Sequence, residues 1–382
     1  MASLCWALLA AHPTGATAAA NAANVLPERT VLIGVSVALS GISAPIAENI
    51  VNAAQLAVQA ANRRKTVIAG QPVRFELLVQ DDRDDSNRAR IAARYLNVAG
   101  VVGVIGNLST GASLAASAIY DNAGIAHISP ASNGRAFTQE GFRTAFRMPG
   151  HDAAGCALLG QYTVHTLHLA NIAIISNGTT FGDSLAQYCG AAIRNSGGTV
   201  VSTDTVDSRT SDFNAALSHA QQADLIFLAG FAEQAPALAN AIKRLGLKAH
   251  LMTAMSGAAD AAFLAATGDA ANGTLALENG LPSERVPGLE ALQAGYAQKF
   301  DGAMSVFGLY AYDAVGVLIA AIKQADSLER ARIVESLHRI RYKGVSGPVA
   351  FNAEGDIENP TFTLYEVRKR QWVPLKLFGE RR

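Results

Sequence analysis

Two short segments carry groups that could hold an anion. Gly106-Asn107-Leu108-Ser109-Thr110-Gly111 places two hydroxyls between a strand-like run and a helix-like one. Hydroxyls there and the free N–H groups of the helix that follows make a site for negative charge. Ser129-Pro130-Ala131-Ser132-Asn133-Gly134 repeats the arrangement after the next strand, with the Ala131 N–H and the Asn133 amide as further donors. In an open parallel sheet, ligands bind beyond the carboxyl ends of the strands. Each segment alone reads as an ordinary helix cap; at neighbouring strand ends the two would converge on one carboxylate.

Other constellations fall short of chemistry. Asp81, Asp82, Asp84 and Asp85 cluster with Arg83 and Arg88. Hard-cation loops need convergent ligands and usually a glycine turn, so this run reads as a structural or solvated turn at a strand end. Gly100, Gly103 and Gly106 form GxxGxxG, which is not the dinucleotide fingerprint. Ser109 lies in GxxSxG rather than in the nucleophile elbow GxSxG. His165 and His168 would share one helix face but have no third ligand, so they read as a surface pair. No metal, cofactor or catalytic group is expected.

The elements that must position these loops alternate. Val31–Val37, Val73–Val79, Val101–Ile105 and Ile125–Ile128 read as strands. Between them lie helical patterns over Ile46–Arg64, Ser86–Val98 (capped by Ser86 or Asn87) and Thr110–Asn122. After the Pro149-Gly150 breaker the pattern restarts. Helices are expected over His151–Leu167, Gly182–Asn195, Phe213–Gln221 and Gln234–Leu245. Strands are expected over Ile172–Ile175, Thr199–Ser202 and Leu225–Leu228. Three further helices, near Leu289–Phe300, Leu309–Gln324 and Leu328–Arg339, should pack back onto earlier sheets. Gly344–Asp356 and Thr361–Val367 read as a closing strand pair. The fold class is α/β, two doubly wound parallel-sheet lobes.

Composition agrees. The chain has 382 residues, half of them apolar, which suffices for two cores. Lys+Arg 31 against Asp+Glu 31 leaves no broad positive field, which argues against a nucleic-acid partner. Cys5, Cys156 and Cys189 form no metal signature; the latter two read as buried free thiols, with a disulfide as the alternative in an oxidising compartment. Leu4–Ala11 is a short apolar run followed by small residues, and Ala18-Ala19-Ala20 and Ala20-Asn21-Ala22 both fit a secretory cleavage site. Residues 1–24 are therefore expected to be a signal peptide, cleaved near Ala20–Asn24, although no Lys or Arg precedes Arg29.

The chain resembles the periplasmic leucine/isoleucine/valine-binding proteins, bilobed type I solute receptors of ABC importers, over about residues 30 to 375. The resemblance rests on Leu39-Ser40-Gly41, Val79-Gln80-Asp81-Asp82, Val104-Ile105-Gly106, Gly124-Ile125 with Ser129-Pro130-Ala131, Phe181-Gly182 and Tyr312-Asp313-Ala314-Val315. It continues through Gly347-Pro348-Val349-Ala350-Phe351-Asn352 to Gly355-Asp356. It implies two lobes joined by three hinge strands, with 30–147 plus 279–345 in lobe 1 and 150–276 plus 350–377 in lobe 2. Ligand would lie between them, its carboxylate on the Thr110 hydroxyl and N–H, beside Ser109, and on the Ala131 N–H. Asn133 stands where the family usually has Thr or Ser.

This sequence departs from the family on the second wall. Met255 aligns with the acidic residue that pairs with a ligand ammonium, and Phe181, Phe231 and Ile46 align with aromatic residues that line the cleft. An unpaired ammonium in a closed cleft costs several kcal/mol on order-of-magnitude grounds. The expectation is therefore a carboxylate with an apolar or aromatic body, unless Glu233 or Glu278 supplies the missing charge. The function implied is extracytoplasmic ligand capture by a monomer that hands its ligand to an inner-membrane ABC permease. The alternative is a sensory receptor or regulator of the same fold that binds amides or organic acids.

Overall fold

The computed structural model describes residues 27–379; the expected signal peptide over 1–24, with Cys5, lies outside the described residues. The first sheet contains β1 (Arg29–Val37), β2 (Thr66–Ile68), β3 (Gln71–Asp81), β4 (Gly103–Gly106), β5 (Ala126–Ser129) and β6 (Ala145–Arg147), in the order β2-β3-β1-β4-β5-β6. All its pairings are parallel except β2 with β3. The connections carry α1 (Ala44–Asn62), α2 (Ser86–Val98), α3 (Thr110–Asn122) and the short α4 (Ala136–Gln139). Alternation along β1 explains the two cores: Val31, Ile33, Val35 and Val37 face one cluster, while Leu32 packs with Val104 and Tyr120 on the other face.

The second sheet is built the same way. The helices α5 (Asp152–His165), α6 (Thr180–Asn195), α7 (Asn214–His219), α8 (Ala235–Arg244) and α9 (Ala261–Thr267) alternate with β7 (Asn171–Ser176), β8 (Thr199–Thr205), β9 (Leu225–Ala229), β10 (His250–Ala254) and β11 (Leu275–Asn279). Ile172 and Ile174 pack on one side of β7, Ala173 and Ile175 on the other. Next come α10 (Leu289–Ala297), α11 (Val306–Ala325) and α12 (Arg330–Leu337), which return to the first core. The strands β12 (Tyr342–Lys343) and β13 (Pro348–Val349) precede β14 (Phe362–Arg368) and β15 (Gln371–Phe378), which close the second sheet in the order β15-β14-β11-β10-β9-β7-β8. The chain thus passes between the lobes three times, around residues 148–151, 280–288 and 350–361.

Several expectations need correction. β10 and β11 are absent from the strands expected above, because Leu, Met and Ala have little intrinsic β preference; burial at the sheet centre overrides this. The closing strand pair is β14 with β15, not 344–356 with 361–367. Over 344–356, side chains take the backbone bonds a ladder would use: Asp313 accepts from the N–H of Val345 and Ser346, and Asn352 from those of Glu354 and Asp356. The cap of α2 is Asp85, which accepts from the N–H of Asn87 and Arg88. α5 ends at His165, and His168 lies beyond it with φ 57°, so the two share no helix face.

The cysteines form a disulfide rather than two free thiols. Cys156 on α5 and Cys189 on α6 have Cα atoms 4.6 Å apart, because the two helices pack side by side over β7, a proximity that no local pattern encodes. Closing a 33-residue separation should stabilise the lobe by about 2–4 kcal/mol through the unfolded state. A Cys156→Ala/Cys189→Ala variant should lose that amount in chemical denaturation, and reductant should lower the melting temperature of the parent but not of the variant.

Candidate functional site

The loops after β4 and β5 meet as parallel-strand topology requires. Ser109 caps α3, its hydroxyl accepting from the Ala112 N–H at 3.3 Å, and this leaves the N–H groups at the start of α3 without helical partners. Ser129 accepts from the Ser132 N–H and donates to the Asn107 carbonyl, tying the second loop to the first. Thr110 Oγ1 accepts from the Gly134 N–H at 3.1 Å, so its own proton is free to be donated elsewhere. Gly134 is needed for this approach, since a Cβ there would lie 2.4 Å from Thr110 Cγ2.

Two buried charges hold the loops from behind. Asp82 accepts from Ser36 Oγ and Asn107 Nδ2, pinning the first loop to β1. Arg147, fully enclosed, donates to Asp356 at 2.7 Å and to the carbonyls of Ser132, Gly134 and Arg135. The second loop is therefore shaped by a guanidinium at the end of β6.

The opposite wall comes from the second lobe. Phe181 opens α6 and Phe231 follows β9; their rings stack at 6.2 Å between centroids, 5° from parallel. Met255 follows β10 with φ 53°, a left-handed conformation held by its N–H on the Leu277 carbonyl and its carbonyl under Asn133 Nδ2 at 2.9 Å. Asn133 Oδ1 accepts in turn from Asn279 Nδ2, whose Oδ1 takes the Gly150 N–H. Asn133 thus bridges the lobes, and its amide is committed to protein partners.

Between these walls lies a cleft with about 440 Å³ of space between the atoms, open solvent at its mouth included. All eight residues singled out in the sequence line it: Ile46, Ser109, Thr110, Ala131, Asn133, Phe181, Phe231 and Met255. So do several that the sequence reading missed or placed elsewhere. Phe307 arrives from α11 and Ser43 from the cap of α1; Leu108, Ala232 and Ser256 also line the cavity. Asp84, read as part of a solvated turn, lines it too, because its loop follows β3 at the same sheet edge as Ser109. The topology of strand ends was the signal that could have found it.

The charges are unusual for a site shaped for an anion. Burial pushes the Asp84 carboxyl up to about 6; the Ser109 hydroxyl opposes this, while Asp82 and Asp85 add to it. Glu233, at the rim and solvent-exposed, is also raised, by the surrounding protein first and then by the charges of Asp84 and Asp260. Glu278 stands outside this lining: burial pushes it up to about 7 against the N–H groups of Gly257 and Ala259 that it accepts. It shapes the loop after Met255. Among the described residues, no three His, Cys, Asp or Glu side chains form a group that could hold a metal ion.

Comparison with known proteins agrees with this architecture. A family model described as periplasmic binding protein matches residues 30–371. A leucine-, isoleucine-, valine-, threonine- and alanine-binding protein of Pseudomonas aeruginosa is 26% identical over 320 residues, 83% of this chain and 84% of that protein. A leucine-binding protein from Thermotoga maritima superposes with TM-score 0.81 at 22% identity, covering 91% of this chain and 98% of that one. A solute-binding protein of an ABC transporter from R. palustris, solved with benzoate, gives 0.81 at 18% identity, covering 91% and 96%.

Proposed function

The chain belongs to the periplasmic binding protein family, and on that premise we propose that it is the extracytoplasmic solute receptor of an ABC importer. Its ligand is a small carboxylate-bearing molecule with an apolar body, a hydrophobic amino acid or an apolar or aromatic organic acid. The observation that carries this reading is the sorting of the cavity: hydrogen-bond donors from Ser109, Thr110 and Ala131 on one lobe, apolar surface from Phe181, Phe231 and Met255 on the other. The relatives named above bind leucine in two cases by their names, and benzoate in the third. A cleft of this kind can serve either class.

No bond is made or broken in this function. The ligand first meets the donors of the first lobe, and contacts with the second lobe then favour the closed form. Only that difference in affinity between open and closed forms shifts the population. Closure gains the Asn133–Met255 bridge, which is also what an empty closed form would keep. A membrane permease reads the closed form through both lobe faces, and the receptor acts as a monomer in the periplasm. The Cys156–Cys189 disulfide supports an oxidising compartment.

A thermal-shift screen of amino acids, aliphatic acids, aromatic acids and amides tests the reading. A ligand at 100 times its Kd should stabilise the folded protein by about 2.7 kcal/mol. The proposal fails if no carboxylate in the screen raises the melting temperature while neutral compounds do.

A further inference from the structure

Helix α2 turns a second apolar face away from the core. At about 100° per residue, its buried Ala89, Ala92, Ala93 and Leu96 share one side. Ile91, Tyr95 and Val98 fall within about 60° of one another on the opposite side. They are 54%, 51% and 88% exposed, so none of the described residues covers them. Arg88 and Arg94 flank Ile91 at about 60° to either side, with Arg90 beyond Arg94, and all three are exposed. Among the described residues no carboxylate pairs with these arginines; Arg90 donates to Asn87, and the acid at this helix is Asp85, spent on the cap. The helix rests on α3, β1 and β3, all in the first lobe.

Size and charge together select the occupant of this ridge. Three side chains fall well short of the roughly 800 Å² per partner that a stable protein–protein interface buries, which argues against a second copy. A convex crest on one helix needs no matching groove when the partner is planar and soft. Arginines beside an apolar crest match the layers of a bilayer, with phosphates at the surface and hydrocarbon just beneath. A tyrosine within the crest suits the boundary between the two. We propose that α2 is a docking ridge for the anionic surface of a phospholipid bilayer. Arg88, Arg90 and Arg94 meet lipid phosphates, and Ile91, Tyr95 and Val98 enter the boundary between headgroups and acyl chains. Because α2 belongs to the first lobe alone, the second lobe stays free to open and close while the protein is docked. Docking also confines the receptor to the plane in which the permease of the proposed function lies.

Co-sedimentation of the full chain with vesicles tests this, comparing equimolar phosphatidylglycerol and phosphatidylcholine with phosphatidylcholine alone. At low salt the mixed vesicles should bind at least ~100-fold more tightly, and high salt should abolish the difference. Arg88→Gln/Arg90→Gln/Arg94→Gln should lose ~100-fold, about fivefold per arginine. Ile91→Gln/Tyr95→Gln/Val98→Gln should lose at least ~10-fold with every charge kept. Glutamine is a good helix former and these side chains are exposed, so both variants should melt with the parent. Every protein compared carries the same termini, so a loss confined to the variants belongs to α2. Equal binding to both vesicle types, binding to neither, or undiminished binding by either variant overturns the proposal. A concentration-dependent dimer that the apolar variant breaks also overturns it, assigning the ridge to a second copy. The evidence is independent of the cleft, whose ligand the thermal-shift screen reads separately, so failure here leaves the proposed function standing.

Discussion

Replacing Arg147 by methionine should destabilise the protein by about 3–5 kcal/mol, the cost of stranding a buried charge. Arg147 has no exposed surface, and its partner Asp356 is 7% exposed. Methionine fills much of the volume but leaves Asp356 with the Thr138 hydroxyl as its side-chain donor, takes the guanidinium's donors from the carbonyls of Ser132 and Gly134, and leaves Gly134 only the Phe137 N–H. Those carbonyls belong to the loop carrying Ala131 and Asn133, so ligand affinity should fall together with stability. Adding Asp356→Leu should recover part of the loss, since deleting both members of a buried pair is often close to neutral. Urea denaturation of the parent and the two variants measures this. A loss below about 1 kcal/mol for the single variant would show that the pair does not organise the loop.

The second large effect is local to the site. Gly134→Val should reduce ligand affinity by about 100- to 1,000-fold, roughly 3–4 kcal/mol, with the fold retained. The new Cβ alone would sit 2.4 Å from Thr110 Cγ2 and 2.8 Å from Thr110 Oγ1, and valine adds two methyl groups beyond it. Thr110 must rotate or the start of α3 must retreat, and either moves the hydroxyl away from the place where a carboxylate would sit. Binding sites tolerate displacements of about half an ångström before affinity suffers. Calorimetry with whichever ligand the screen identifies reads the loss, and circular dichroism reads the fold. Unchanged affinity would mean that Thr110 does not hold the ligand.

Much of this was legible in the chain. Strands such as Val31–Val37 and helices such as Thr110–Asn122 announce themselves through burial pattern and period, and neighbouring strand ends then predict where ligand-facing loops converge. That is why Ser109, Thr110, Ala131 and Asn133 line one cavity. Ile46, Phe181, Phe231 and Met255, on the same lining, were pointed to by the family resemblance alone. The misses share a cause. β10 and β11 have composition that fits a helix as well as a strand, and only their central place in the sheet decides between them. Phe307 reaches the cavity from α11, an element that follows both sheets' ligand-facing loops in the chain, with no local mark of that role.

Local chemistry by itself determined the alternating elements, the two lobes and the donor loops, because hydrophobic period, caps and breakers act over a few residues at a time. Charge and covalent pairing were decided only in three dimensions. Cys156 and Cys189 pair because α5 and α6 lie side by side on one sheet, and Asp84 turns from a surface residue into part of the cavity wall because two lobes close over it. Whether a carboxylate meets water, a cysteine or another carboxylate depends on distance through space, and sequence order encodes that distance poorly.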